Sequence, residues 1–94
     1  MKHIRYQHLN QNGYVSVRRI EVTQAEYDKY DELRLLGYSI TTEHDEQDRV
    51  LVTVMNESYH PSIEKFCSYA DRDSIILYAI NALYTVLVHD QVPF

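Results

Sequence analysis

The sequence predicts a small α+β domain in which two β-hairpins alternate with two helices, in the order ββαββα. Three observations predict this class: alternating apolar residues around an Asn-Gly turn, a complete set of helix-capping residues in the middle of the chain, and an apolar C-terminal segment at helical spacing. The chain has 94 residues, so we expect a single domain, 1–94. Its antiparallel sheet is expected to pack against both helices.

The first hairpin is predicted around the Asn-Gly turn at 12–13, because both residue types accept positive φ. The apolar residues that follow the turn change parity after Val17. A β-bulge at 18–19 restores a single apolar face to the second strand. With that bulge, Ile4 is expected to lie opposite Val22.

The central helix is predicted by signals at both of its ends. Thr23 and Glu26 have the spacing of a capping box, in which each side chain satisfies a free main-chain N–H group. Gly37 supplies the left-handed residue that follows many helices. The helix is therefore expected to span about Gln24 to Leu36, with three side chains facing inward: Tyr30, Leu33 and Leu36.

A second hairpin is predicted over residues 38–55, where apolar residues alternate on both sides of a polar turn. Pro61 fits the first position of a following helix. Apolar residues then recur at helical spacing, beginning with Ile63, Phe66, Cys67 and Ala70. We interpret 61–89 as one helix, or as two helices separated by the polar residues 71–74.

The compartment is indicated by the single cysteine, Cys67, which excludes an internal disulfide and favours a reducing, cytoplasmic location. Cys67 is predicted to lie on the buried stripe of the helix, where a free cysteine acts as a small hydrophobe. The apolar stretch 75–88 is shorter than the roughly 20 residues needed to cross a bilayer. We expect neither a membrane span nor a secretory signal.

The net charge of −5 is unevenly distributed along the chain. Residues 1–22 carry four bases and one acid, whereas residues 23–48 carry eight acids and two bases. The acidic middle repels nucleic acid, and four bases are too few for an extended phosphate footprint. Direct nucleic-acid binding is therefore not expected.

No spacing in the sequence is typical of catalysis or of metal binding. The five histidines form neither an HxxxH nor an HExxH pair, and two glycines are too few for a phosphate-binding loop. No elbow glycines surround any serine. We predict no catalytic residue, no metal ligand and no cofactor, and the protein is not expected to be an enzyme.

The acidic segment favours a non-enzymatic protein-binding module whose partner has a basic surface. In size and charge the chain resembles small acidic inhibitors of nucleic-acid-handling enzymes, which phages and mobile elements encode. The predicted partner-binding residues are the eight carboxylates of that segment: Glu26, Asp28, Asp31, Glu32, Glu43, Asp45, Glu46 and Asp48.

Two other functions remain open. One is a homo-oligomer that binds a small ligand or nucleotide in a pocket at the subunit interface, lined by tyrosines and by Arg5, Arg18 or Arg19. The other is RNA binding by the basic hairpin, with Tyr6 and Tyr14 stacking on bases. The chain contains nine tyrosines, and exposed tyrosine is a preferred contact residue in interfaces.

A homodimer is predicted on the C-terminal helix, because residues 75–88 carry more apolar surface than one sheet face covers. The flank expected to form the interface consists of Leu77, Ile80, Tyr84 and Val88. The alternative is that the N-terminal hairpin covers this flank within one chain.

Overall fold

The computed structural model describes residues 1–58 and 61–90, and only the backbone of 88–90. The α+β class is confirmed, and the ββα order occurs twice, with one additional strand ahead of the last helix. A short 3₁₀ turn, Tyr69–Asp71, precedes that helix. The elements are β1 (Lys2–Leu9), β2 (Val15–Val22), α1 (Gln24–Leu35), β3 (Tyr38–His44), β4 (Arg49–Asn56), β5 (Ile63–Ser68) and α2 (Arg72–Asp90).

The five strands form one sheet in the order β2-β1-β3-β4-β5. The sheet is mixed, and the expectation of an antiparallel sheet was wrong for one pair. β1 and β3 run parallel because α1 carries the chain from β2 past β1 before it returns to the sheet. All other described neighbours are antiparallel.

Both helices pack on the same face of the sheet, and no element that the structure describes covers the other, which we call the uncovered face. Because side chains alternate along a strand, the even-numbered residues of β1 to β4 face the helices and the odd-numbered ones face away. The buried apolar core is formed by Ile4, Tyr6, Ile20, Val22, Tyr38, Ile40, Val50, Val52 and Val54 from the sheet, Leu33 from α1, and Ile76, Ala79, Ile80 and Leu83 from α2.

The first hairpin has no bulge, so the predicted register was wrong. Ile4 lies opposite Ile20, and the pairing is uninterrupted along both strands. The turn is longer than two residues because Asn10 Oδ1 accepts hydrogen bonds from the main-chain N–H groups of Asn12 and Tyr14. As a consequence Val17 lies on the uncovered face, where it is 67% exposed.

Helix α1 begins at the predicted capping box. Thr23 Oγ1 accepts from the N–H of Glu26, whose carboxylate accepts from the N–H of Thr23. Leu33 is buried, but Leu36 follows the helix and is 47% exposed. Its inward placement was therefore wrong, because the helix ends one residue earlier than the sequence indicates.

The expectation of a helix over residues 61–70 was wrong. Residues 63–68 form β5, in which Ile63 pairs with Val54 and Cys67 with Val50 of β4. The free edge of β4 supplies hydrogen bonds that outweigh the helical spacing of the apolar residues. A single α-helix, α2, then starts at Arg72. Within the described ranges no helix is long and apolar enough to cross a membrane.

Part of the proposed dimer flank of α2 is covered within the chain, next to α1. Ile80 is only 2% exposed, and Leu77 packs against the core. Lys29 Nζ of α1 lies 5.6 Å from the centre of the Tyr84 ring. The side chain of Val88 lies outside the described residues. Ile80 is therefore less accessible than the sequence suggested, while the interface on this flank and homodimer formation both stay predictions.

We expect Gly37→Ala to destabilise the protein more than Gly13→Ala does. Both glycines have positive φ, so either alanine costs about 1–2 kcal/mol. A Cβ at Gly37 meets Asn56 Oδ1 at 3.2 Å, whereas a Cβ at Gly13 meets nothing within 4 Å. Urea unfolding of both variants measures the difference, and equal losses would contradict the close approach of Asn56.

Candidate functional site

The two central strands of the sheet, β1 and β3, are paired over only part of their length. The parallel ladder joins 7–9 to 41–43, and no pairing continues toward the start of either strand. Alternate residues of a strand direct their main-chain N–H and C=O groups to alternate neighbours. The unpaired part of β1 therefore presents main-chain donors and acceptors toward β3.

A cavity beside this unpaired stretch, which we call the β1–β3 opening, has a volume of about 460 Å³. Residues of β1, β2 and β3 line it together with Tyr30 of α1. Its lining combines polar side chains of the uncovered face with tyrosines of the covered face, and includes Gln7, Ser39, Thr41, Tyr6, Tyr30 and Tyr38.

A second cavity of about 440 Å³ adjoins the opening at the start of β1. Arg5 and Tyr30 line both cavities, so the two are immediate neighbours. We call the second cavity the basic mouth, because its lining carries four cationic side chains beside two tyrosines: Lys2, Arg5, Arg19, Arg34, Tyr27 and Tyr30.

Arg5 and Arg19 are the central feature of the basic mouth. They lie directly opposite each other on β1 and β2, and both face away from the helices. Like charges in directly opposite positions destabilise a sheet. Neither guanidinium makes an ion pair or hydrogen bond with any residue that the structure describes.

The remaining cations of the basic mouth are held by neighbours in α1. Lys2 Nζ lies 4.8 Å from the centre of the Tyr27 ring, and Arg34 forms an ion pair with Asp31 at 2.8 Å. These contacts fix the two cations at the rim. The basic mouth thus holds two cations with neighbours in α1, beside two guanidiniums that have no partner among the described residues.

Arg18, the third arginine considered from the sequence, faces the helices and belongs to a different cluster. Its Nη1 donates a hydrogen bond to the Tyr69 hydroxyl at 2.6 Å. The Tyr69 ring also packs against buried His8, whose Nδ1 lies 2.7 Å from Thr42 Oγ1. Burial, and secondarily the charge of Arg18, lowers the pKa of His8 below 6.5.

Cys67 lies on the helix-covered side of β5 and is half-buried. Burial raises the pKa of its thiol, and the carboxylate of Asp71 adds to that shift. Its predicted place on a helix was wrong, because the residue belongs to a strand. No group of three metal-ligating side chains occurs among the residues that the structure describes.

The eight predicted partner-binding carboxylates do not share one surface. Those of α1 lie at the start of β3 and those of the β3–β4 turn at its end, about 20 Å away over seven strand residues. Glu43 is on the uncovered face of the sheet, near the end of β3 that leads into the turn. Their joint role in binding a partner stays a prediction.

Several of these carboxylates already support local structure. Glu26 caps α1, and Asp48 lies 2.8 Å from His44 Nε2. The main-chain N–H of Arg49 is the largest cause of the lowered pKa of Asp45, and the N–H of Gln47 adds to it. Asp28 accepts a hydrogen bond from Gln24 within α1.

Sequence reasoning selected Arg5, Arg19 and the tyrosines for a ligand pocket, but missed the contribution of α1. Tyr27, Tyr30 and Arg34 recur at helical spacing, which places them on one side of the helix. That spacing could have predicted their clustering. The β1–β3 opening could not be predicted, because it depends on how far two distant strands pair.

We compared the chain with known proteins and found no relative. No family model, no curated protein and no solved structure matches the chain. The function is therefore inferred from the geometry of the basic mouth and the β1–β3 opening.

We expect the free energy of unfolding to fall as the pH is lowered through about 6.5, because of His8. Its pKa in the folded protein lies below 6.5, so the unfolded chain binds a proton that the folded protein does not. The loss is at most about 1.4 kcal/mol per pH unit. Chemical denaturation between about pH 7.5 and 5.5 measures it.

His8→Asn should flatten this dependence, whereas His3→Asn, at an exposed position of the same strand, should leave it unchanged. An equally steep dependence in His8→Asn would show that another group binds the proton.

Proposed function

We propose that the protein is a non-enzymatic binding protein that holds a phosphate-bearing ligand in the basic mouth. One observation carries this proposal: Arg5 and Arg19 lie side by side on the uncovered face, and no carboxylate in the described part of the chain pairs with either. Two adjacent guanidiniums offer planar sets of N–H donors that match the oxygens of a phosphate.

The repulsion between the two guanidiniums lowers the stability of the protein without ligand. Two like charges directly opposite on a sheet cost roughly 0.2–1 kcal/mol, and nothing within the described chain offsets this. A destabilising arrangement at a surface cavity is typical of a binding site, where a ligand supplies the missing charge. The basic mouth also has the size range of small-molecule sites.

The site lies within one chain, between β1, β2 and α1. This differs from the subunit-interface pocket that the sequence suggested, and requires no second copy. The acidic-segment hypothesis receives less support, because its carboxylates occupy both ends of β3 and several are engaged locally.

The double variant Arg5→Gln, Arg19→Gln should lose affinity for inorganic pyrophosphate by about 100-fold, because two charge-assisted interactions disappear. Isothermal titration calorimetry at constant ionic strength measures this. Lys65→Gln is the matched control, since it removes one positive charge from β5, at the far edge of the sheet. Its affinity for pyrophosphate should be unchanged.

The same double variant should be at least as stable as the unmodified protein without ligand, because the repulsion between the two guanidiniums is gone. Thermal unfolding in the absence of pyrophosphate measures this. Two results would contradict the proposal: no binding of pyrophosphate by the unmodified protein, or equal binding by the double variant.

A further inference from the structure

We infer that the ligand is a single nucleotide, with its phosphates in the basic mouth and its base in the β1–β3 opening; this inference rests on the proposed function. The two cavities are neighbours that share Arg5 and Tyr30 in their linings, so a ligand bound beside these two side chains can extend into both. Their volumes, about 460 and 440 Å³, lie in the range of small-molecule sites.

The opening has the chemistry that a nucleobase requires. Tyr30 is half-buried at the border of the two cavities, where its ring can stack against a base. The unpaired stretches of β1 and β3 present main-chain donors and acceptors, which match the alternating groups on the edge of a base. Ser39 and Thr41 add hydroxyl groups from the uncovered face.

The distribution of charge favours one nucleotide over a nucleic-acid strand. A third cavity, of about 240 Å³, lies next to the opening on the sheet, and its lining includes Leu9, Val15, Leu51 and Glu43. This lining carries a carboxylate and no cation, so the phosphates of a second or third nucleotide would find no partner there. Among these three cavities, the cationic lining side chains all belong to the basic mouth, and one of them, Arg5, also lines the opening.

The decisive comparison is between ADP, CDP and inorganic pyrophosphate, titrated into the protein by calorimetry. We expect both nucleotides to bind about tenfold or more tightly than pyrophosphate, because the base adds stacking and hydrogen bonds. Ser39→Leu, which fills the opening from the exposed side, should remove this gain and leave pyrophosphate affinity unchanged. Thr53→Leu, one strand away on the same face, is the matched control and should retain the gain.

Tyr30 provides an independent test that does not depend on filling the opening. Tyr30→Phe keeps the ring and should bind ADP as the unmodified protein does, whereas Tyr30→Leu should lose most of the gain over pyrophosphate. Circular dichroism of each variant confirms that α1 is intact.

The possible failures are distinguishable. If pyrophosphate binds but ADP and CDP bind no more tightly, the nucleotide inference is overturned and the proposed function stands. If neither pyrophosphate nor the nucleotides bind, the proposed function itself fails. If a single-stranded oligonucleotide binds more tightly as its length increases, the ligand is a polymer and the inference of a single nucleotide is overturned.

Discussion

The short parallel pairing of β1 with β3 holds the two parts of the sheet together, and the candidate site depends on it. One part is the β1–β2 hairpin, and the other is the β3-β4-β5 meander. Hydrogen bonds join them over three residue pairs at one end only. At the other end α1 packs beneath both parts, with buried Leu33 in the core and Tyr30 at the edge of the opening. At this end the packing of α1 sets the distance between β1 and β3, whereas at the other end main-chain hydrogen bonds set it.

Strand β1 has polar side chains on both faces of the sheet, because successive side chains point to opposite faces. Those on the two faces differ in whether they are paired. His8 faces the helices and is satisfied by Thr42, as are all buried polar side-chain atoms that the structure describes. Arg5 faces away and has no partner among the described residues. A buried polar group must be paired, whereas an exposed charge is solvated by water and needs no partner within the protein. Similar polar residues of one strand are therefore paired on one face and left accessible on the other.

The overall charge of the chain does not decide the charge of its candidate site. The protein is acidic, yet the basic mouth concentrates four cationic side chains. The charges of the β3–β4 turn lie at the other end of β3 from the mouth, and salt weakens interactions between exposed charges over more than about 10 Å. The nearer Asp31 is engaged with Arg34. The net charge of the chain is thus a weak guide to the charge of one cavity. The register of the strands decides which charged side chains lie close together.

Local interactions are what the sequence determined by itself. The capping box of α1, both hairpins and the α+β class follow from hydrogen bonds and turn angles within a few residues, so short motifs are sufficient to predict them. Tertiary structure decided the rest. Residues 63–68 became a strand because β4 offered a free edge, and the β1–β3 opening arose because residues 34 apart in sequence pair only at one end. Such contacts depend on packing between distant segments, which no local pattern specifies.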